Sequence, residues 1–190
     1  MESERAAYGR LERVIRRHLS LEEDEGTARL CRDLRAARQR GYLRRSELEA
    51  VCRWKSPRAI HHVRANTASE VRRETHLALS TRREERRLAA LLRLKGVSVP
   101  MASATLTLLS PRRYGVIDIR VWQLLHAHGV VTRNAVGVGL SAGNWRQFLG
   151  VIRHFARKLR VQARDVERAL FDAHRARQKG RLYKVGKKDR

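Results

Sequence analysis

Cysteine, proline, aromatic residues and acidic residues are all scarce in this sequence of 190 residues, and these shortages exclude several classes of protein. Two cysteines, Cys31 and Cys52, are too few for the disulfide framework of a small secreted domain or for a four-thiolate zinc or iron–sulfur site. No apolar run approaches the roughly 20 residues of a membrane-spanning helix, and the first ten residues lack the apolar core of a secretory leader. We therefore expect a soluble, cytoplasmic protein without a metal ion or cofactor.

The shortage of acidic residues leaves a strong positive charge. Lys and Arg number 43 and Asp and Glu number 19, which gives a net charge of +24. Only seven of the basic residues are lysines, and this skew follows as readily from the codons of a GC-rich genome as from function. The net charge itself attracts polyanions whatever its origin, so nucleic acid is the expected partner. A basic surface that only keeps the protein soluble is the alternative.

The acidic residues are also unevenly distributed along the chain. Between Arg86 and Arg164, a span of 79 residues, Asp118 is the only carboxylate among 14 Lys and Arg. The segment 178–190 is basic and contains Gly180 and Gly186. We predict that it forms a mobile tail that adds affinity for phosphates, and that residues 1–177 form one domain.

Hydrophobic spacing predicts an all-α protein without strands. Apolar residues recur at helical intervals from Tyr8 to Leu19 and from Ala28 to Ala37, with Gly41 as the expected stop of the second helix. Capping boxes are predicted at Ser46 with Glu49 and at Thr81 with Glu84, and Asn144 is expected to cap a later helix. The further predicted helices are 46–54, 59–79 with a break near 66–67, 81–94, 100–109, 118–128, 145–159 and 165–177.

The segment 88–109 reads as two apolar helices joined by a short turn, Lys95-Gly96-Val97-Ser98-Val99. Pro100 suits the first position of the second helix, because its φ is already set and its missing N–H has no partner there. Gly96 allows a tight turn, and small residues at 102–104 let the helices approach closely. Such a hairpin would direct N–H groups outward and bind a backbone phosphate. An ordinary helical hairpin packed in the core is the alternative.

The run L-K-G-V-S-V-P-M-A-S-A at 94–104, with V-I-D-I-R at 116–120, resembles the signature region of the helix-hairpin-helix DNA glycosylases. That superfamily includes endonuclease III, the adenine-mismatch glycosylase and the 8-oxoguanine glycosylases, and its hairpin usually reads L-P-G-V-G-x-K-T-A. On that pattern Pro100 stands where bifunctional members have their catalytic lysine. Asp118, 18 residues further on, stands at the catalytic aspartate, with Arg120 two residues after it. The resemblance covers residues 47–128.

This resemblance implies an all-α fold of two helical lobes with the active site in the cleft between them. It implies a monomeric, monofunctional DNA N-glycosylase that removes a damaged or mismatched base from double-stranded DNA and associates with the nucleoid. Because Pro100 cannot form a Schiff base, lyase chemistry is not expected unless Lys55 or another lysine supplies the amine. The absence of a four-cysteine cluster implies a member without iron–sulfur, and the short segment before the matched region offers no identifiable wedge residue.

An isolated carboxylate suits the chemistry of base excision. Breaking the N-glycosidic bond develops positive charge on the deoxyribose, which a nearby carboxylate stabilises while it orients or deprotonates the attacking water. Asp118 also fits a structural role, either as the N-cap of the next helix or as a partner of Arg120. A non-catalytic DNA-binding protein that has kept the glycosylase scaffold is therefore the alternative function.

The remaining candidate residues divide into a base pocket and a DNA-binding surface. A flipped base must be received by aromatic or apolar side chains. The pocket candidates are Trp54, Lys55, Tyr114 and Trp122, with Tyr42 and Trp145 as further aromatic residues, although Trp122 also suits the core. The predicted DNA-binding residues are Lys95, Gly96, Val97, Ser98, Val99, Met101, Ser103 and Arg120.

Overall fold

The computed structural model describes residues 2–178, and this part of the chain is all-helical without a strand. The predicted tail at 178–190 lies outside the described residues except for Gln178. A single turn of 3₁₀-helix covers Pro57–Ala59. The α-helices are α1 Glu2–His18, α2 Glu25–Asp33, α3 Arg35–Arg40, α4 Arg45–Lys55, α5 Ile60–Arg64, α6 Ala68–Ser80, α7 Glu84–Leu92, α8 Val99–Leu109, α9 Ile119–Ala127, α10 Ala142–Leu159 and α11 Ala163–Arg177.

The helices pack in two groups. In the first group, α11 packs against α1, α9 and α10, and the fully buried Trp122, Trp145, Phe148 and Phe155 fill its interior. In the second group, α4 packs against α5, α6 and α8, while α7 packs against α6 and α8. Contacts between α8 and α10 join the groups, and one hydrophobic core runs through both.

Most of the predicted helices are confirmed, and their interruptions follow local backbone chemistry. Gly41 ends α3 at a φ of 78°, a left-handed conformation that glycine adopts without steric cost. Leu34 divides the helix predicted from Ala28 into α2 and α3. The break near 66–67 is also confirmed, because Thr67 caps α6 and its N–H donates to Glu70 Oε2 at 2.6 Å.

The predicted caps are wrong at three helix starts. Ser46 lies inside α4 rather than before it, because Arg44 is the N-cap and its N–H donates to Glu47 Oε2 at 2.6 Å. Glu49 therefore has no capping role and instead pairs with arginines of α4 and α5. The helix consequently starts one residue earlier than its predicted first residue.

The other two caps are displaced by competing side-chain hydrogen bonds. Thr81 Oγ1 accepts the N–H of Arg83, which is the actual N-cap of α7. Ser141, not Asn144, caps α10, and the Asn144 side chain accepts the Ser141 N–H at 2.9 Å. The helix predicted at 145–159 therefore begins three residues earlier, at Ala142.

Candidate functional site

A cleft of about 670 Å³ opens where the two groups of helices meet. Its walls come from the α1–α2 linker, the C-terminal end of α4, the start of α9 and one side of α11. Four of the residues predicted to form the site lie here: Trp54, Lys55, Asp118 and Arg120.

Asp118 uses its two carboxylate oxygens for different tasks. Oδ1 accepts the N–H of Val121 at 3.0 Å and caps α9, so the structural role considered for this residue is confirmed. Oδ2 lies 3.6 Å from Lys55 Nζ at the end of α4, and the two side chains are only 16% and 18% exposed. The same carboxylate therefore caps a helix and presents a second oxygen to the cleft.

Arg120 does not pair with Asp118, although it lines the cleft. Its Nε donates to Gln178 Oε1 at 3.1 Å, and its guanidinium stacks over the Phe171 ring at 5.2 Å. Lys55, on a helix of the other group, is instead the cation nearest to the carboxylate. The two groups of helices therefore meet through an ion pair that spans the cleft.

Trp54 gives one wall of the cleft an aromatic surface. Its Nε1 donates to Thr27 Oγ1 at 2.8 Å, which fixes the plane of the half-buried indole. The guanidinium of Arg164 lies 5.6 Å from the indole centroid on the cleft side. Of the aromatic residues proposed for a base pocket, Trp54 is the one that lines the cleft.

A partly buried ion-pair network lies on the α11 side of the cleft. Arg164 binds the Glu23 carboxylate through Nε at 2.9 Å and also pairs with Glu167, which is 3% exposed. Arg168 reaches the same Glu23 at 3.2 Å. The network therefore ties the α1–α2 linker to α11 along one side of the cleft.

Burial gives Glu167 unusual acid–base properties. Desolvation raises its pKa, Arg164 counters the rise, and the negative charge of Asp118 adds to it. Burial alone would lower the pKa of Arg164, but the carboxylates of Glu167 and Glu23 raise it. Gly115 packs directly on Glu167, because a Cβ at this position would lie 2.6 Å from Glu167 Cβ.

The hairpin between α7 and α8 has the backbone conformation that its sequence requires. Gly96 has a φ of 76°, and a Cβ there would lie 2.9 Å from His62 Cβ. Ser98 has a φ of −85° and avoids the left-handed region, so a serine in place of the second hairpin glycine is tolerated. Asn66 fixes the turn from outside, since it accepts the Lys95 N–H and donates to the Lys95 carbonyl, both at 2.9 Å.

Only part of the hairpin is accessible to a ligand, and none of it lines the cleft. Lys95 and Ser98 are exposed, whereas the side chains of Val97 and Val99 are buried and the Val97 N–H donates to Leu94 O. Val99 begins α8, so its N–H has no intrahelical partner. The groups of the hairpin that remain available to a phosphate are therefore the side chains of Lys95 and Ser98 and the first N–H groups of α8.

The side chains of Met101 and Ser103, predicted to bind DNA, are not accessible to it. Both are buried within α8, where the side chains from Met101 to Leu109 are all inaccessible. Ser103 Oγ donates to the Pro100 carbonyl at 2.8 Å and accepts the Ile117 N–H at 3.1 Å. These hydrogen bonds give Ser103 a structural role, because they join α8 to the segment that leads to Asp118.

Tyr114 and Trp122 are wrong as base-pocket residues. Tyr114 is 2% exposed, and its hydroxyl donates to Glu84 Oε2 at 2.9 Å, outside the cleft. Trp122 is fully buried and donates from Nε1 to the Asn134 carbonyl at 2.8 Å, so its packing into the core is confirmed. Trp145 is also buried, and Tyr42 lies between two arginines away from the cleft.

Sequence reasoning did not identify the acidic and basic residues that complete the cleft. Glu23 lies 141 residues before Arg164, so no local pattern links these two residues. The spacing of Arg164, Glu167 and Arg168 along one helix face was the available signal, since residues three and four apart are neighbours on a helix.

Within residues 2–178, His, Cys, Asp and Glu side chains form no group that could hold a metal ion. In the same part of the chain, no helix is both long and apolar enough to cross a membrane.

Comparison with known protein families, with curated protein sequences and with solved structures finds no match to this chain.

Proposed function

We propose that this chain is a monofunctional DNA N-glycosylase in which Asp118 is the catalytic carboxylate. One observation carries the proposal: the only carboxylate of a long basic stretch faces a cleft of about 670 Å³, 3.6 Å from Lys55 and with Trp54 in the wall. The two groups of helices on either side of the cleft agree with the two-lobed arrangement that the sequence resemblance implies.

The proposed reaction is the hydrolysis of the bond between a flipped base and its deoxyribose. The bonding electrons leave with the base, and the positive charge that develops at C1′ is stabilised by Asp118 Oδ2. Water adds to C1′, and its proton passes to the same carboxylate, which later loses it to solvent. The departing base anion takes up one proton from solvent, so the products are the free base and the abasic sugar. The hydrogen bond from Val121 to Oδ1 fixes the orientation of the carboxylate, so that little reorganisation is needed during the reaction.

Lys55 and Trp54 support this carboxylate in different ways. Lys55 offsets the free-energy cost of holding a carboxylate in a partly dehydrated cleft. Trp54 offers an aromatic surface on which an extruded base would stack. Lyase activity is not part of the proposal, because Pro100 has no amine. Lys55 is the one lysine within residues 2–178 that lines the cleft.

The test is base release from duplexes that carry uracil, oxidised bases, alkylated bases or mismatches, followed by hot alkali to cleave abasic sites. We expect Asp118→Asn to lower the rate of base release by about 10²–10⁴-fold while DNA affinity is retained. Asp172→Asn is the matched control, because Asp172 also lines the cleft but is exposed. Release of no base across the panel, or equal loss in both variants, would overturn the proposal.

The second candidate is a DNA-binding protein without catalysis, and the surroundings of Asp118 favour it. Both carboxylate oxygens already have partners, Val121 and Lys55, as expected of a structural brace. Such a protein would bind undamaged and damaged duplexes equally. Asp118→Asn would then leave its affinity unchanged or improve it, since a negative charge is removed from a phosphate-binding surface.

A further inference from the structure

Five arginines line a second, shallower cavity of about 420 Å³, which we call the arginine patch: Arg112, Arg113, Arg153, Arg157 and Arg160. Two come from the turn after α8, two from the last turns of α10 and one from the residue that ends α10. None of the five lines the cleft that contains Asp118.

The patch holds far more positive charge than its ion pairs neutralise. Glu84 Oε1 pairs with Arg113 at 3.3 Å and with Arg153 at 2.8 Å, so two arginines share one carboxylate. Within residues 2–178, the side chains of Arg112, Arg157 and Arg160 form no ion pair. Like charges at close range repel, so Arg112, Arg157 and Arg160 bring no ion-pair stabilisation to the fold, whereas they would attract a bound anion.

Part of the patch is held in a fixed geometry. Arg153 Nε donates to the Arg113 carbonyl at 2.9 Å, and both guanidinium groups stack on the Tyr114 ring, at 5.0 and 5.6 Å from its centroid. The Tyr114 ring is itself fixed by its hydrogen bond to Glu84. Ordered guanidinium groups bind phosphate oxygens in bidentate geometry with less loss of side-chain entropy.

Arg160 stands at a backbone position that favours glycine. It ends α10 with a φ of 58°, in the left-handed region that glycine occupies most readily at the end of a helix. An arginine at this position strains the backbone but adds an exposed cation beside Arg157.

We propose that the arginine patch is a second phosphate-binding site, which holds the DNA backbone outside the cleft. The patch adjoins the cleft through the first turn of α11. The Ala163 N–H donates to the Arg112 carbonyl at 3.3 Å, the Arg164 N–H donates to the Pro111 carbonyl at 3.0 Å, and the Arg164 guanidinium lines the cleft. The inference rests on nucleic acid as the partner in the proposed function but does not depend on catalysis.

The test measures the affinity for an undamaged duplex as a function of NaCl concentration. Each phosphate contact contributes about 0.9 to the slope of log K against log salt, so Arg112→Gln/Arg157→Gln/Arg160→Gln should make the slope shallower by about three. On the order of 100-fold in affinity should be lost at about 0.1 M NaCl, with thermal unfolding unchanged. The control variant, Arg13→Gln/Arg17→Gln/Arg133→Gln, removes the same charge from exposed arginines outside the patch and should change the slope by less than about one.

The outcomes separate this inference from the proposed function. Equal slope changes in the patch and control variants would overturn the second site and leave base excision by Asp118 untouched. Inorganic phosphate or pyrophosphate that competes at the patch, without a patch-dependent slope for the duplex, would show a small-anion site and also overturn it. If the protein floats with phosphatidylserine vesicles only when the patch is intact and does not bind duplex DNA, the patch is a membrane-binding surface. This result would overturn both the second phosphate-binding site and the proposed function.

Discussion

The cleft and the arginine patch use the same residue type in opposite ways. In the cleft, each of Arg164 and Arg168 contacts a carboxylate, and Lys55 faces Asp118. In the patch, Arg113 and Arg153 share the carboxylate of Glu84, and the other three arginines form no ion pair within residues 2–178. Positive charge that is neutralised internally holds helices in place, whereas charge that is left without a partner is available to a ligand. Net charge alone does not distinguish these two uses.

The largest expected difference between the two regions is in folding stability. Arg164→Met would leave Glu167 buried without its partner, so we expect it to destabilise the protein by about 3–5 kcal/mol. Arg157→Met, in the patch, should change the free energy of unfolding by less than about 0.5 kcal/mol, because its side chain is exposed and forms no ion pair within residues 2–178. Urea unfolding of both variants measures the contrast, and equal effects would contradict it.

Two glycine-to-alanine substitutions should also differ in their effect on folding stability, but by less. Gly115→Ala would place a Cβ 2.6 Å from Glu167 Cβ and 3.0 Å from Ile152 Cδ1, so we expect a loss of about 1–3 kcal/mol. Gly150 lies inside α10, the helix that carries two arginines of the patch, and a Cβ there meets nothing within 4 Å. Gly150→Ala should therefore stabilise the protein by up to about 1 kcal/mol. Thermal unfolding that shows the same sign for both would refute the packing argument.

A third prediction concerns the dependence of stability on pH. Burial raises the pKa of Glu167 in the folded protein, so the folded state holds this proton more tightly than the unfolded state. Stability from this site is therefore present at low pH and is lost as the pH rises through the raised pKa. Each unit of the rise corresponds to about 1.4 kcal/mol.

Glu167→Gln removes this titration and so reveals its contribution. The stability of the unmodified protein relative to the variant should fall as the pH is raised above about 4.5, the ordinary pKa of a glutamate. Carboxylates with lowered pKa, such as Glu12 and Asp24, change stability in the opposite direction, but they are present in both proteins and cancel in the comparison. Urea unfolding at several pH values gives the difference, and a pH-independent difference would contradict the prediction.

The smallest effect is expected at Glu84, the carboxylate that pairs with Arg113 and Arg153 of the patch. Glu84→Gln removes the negative charge that Arg113 and Arg153 share. The free energy of binding to duplex DNA should therefore become more favourable by about 0.2–1 kcal/mol. Glu85→Gln is the control, because the neighbouring Glu85 pairs with Arg146 outside the patch. A fluorescence-anisotropy titration that gives equal gains for both would mean that only net charge matters.

Local patterns predicted the helices and the position of Asp118, because these depend on neighbours in sequence. Hydrophobic spacing gave most helices correctly, and the proline and glycine at the hairpin gave its turn. The caps at Ser46, Thr81 and Asn144 were wrong, since several nearby side chains compete for the same N–H groups and the sequence does not rank them.

The site was predicted only in part, because its other members come from distant helices. Lys55 and Trp54 were candidates for the base pocket, but their position opposite Asp118 depends on how α4 packs against its neighbours. Tyr114 and Trp122 were equally plausible by residue type, and their burial depends on tertiary packing. The ion pairs between Arg164 and Glu23 join residues 141 positions apart, which no local pattern reveals.

The two hydrogen bonds between Asn66 and the hairpin turn have a consequence for protein engineering. Its amide satisfies both the N–H and the carbonyl of Lys95, which a leucine, an aspartate or an alanine would not do. The turn is therefore shaped by a side chain 29 residues upstream. A graft of residues 88–109 onto another protein would carry the hairpin sequence without the hydrogen bonds that hold its turn. The smallest segment that keeps these bonds must begin before Asn66.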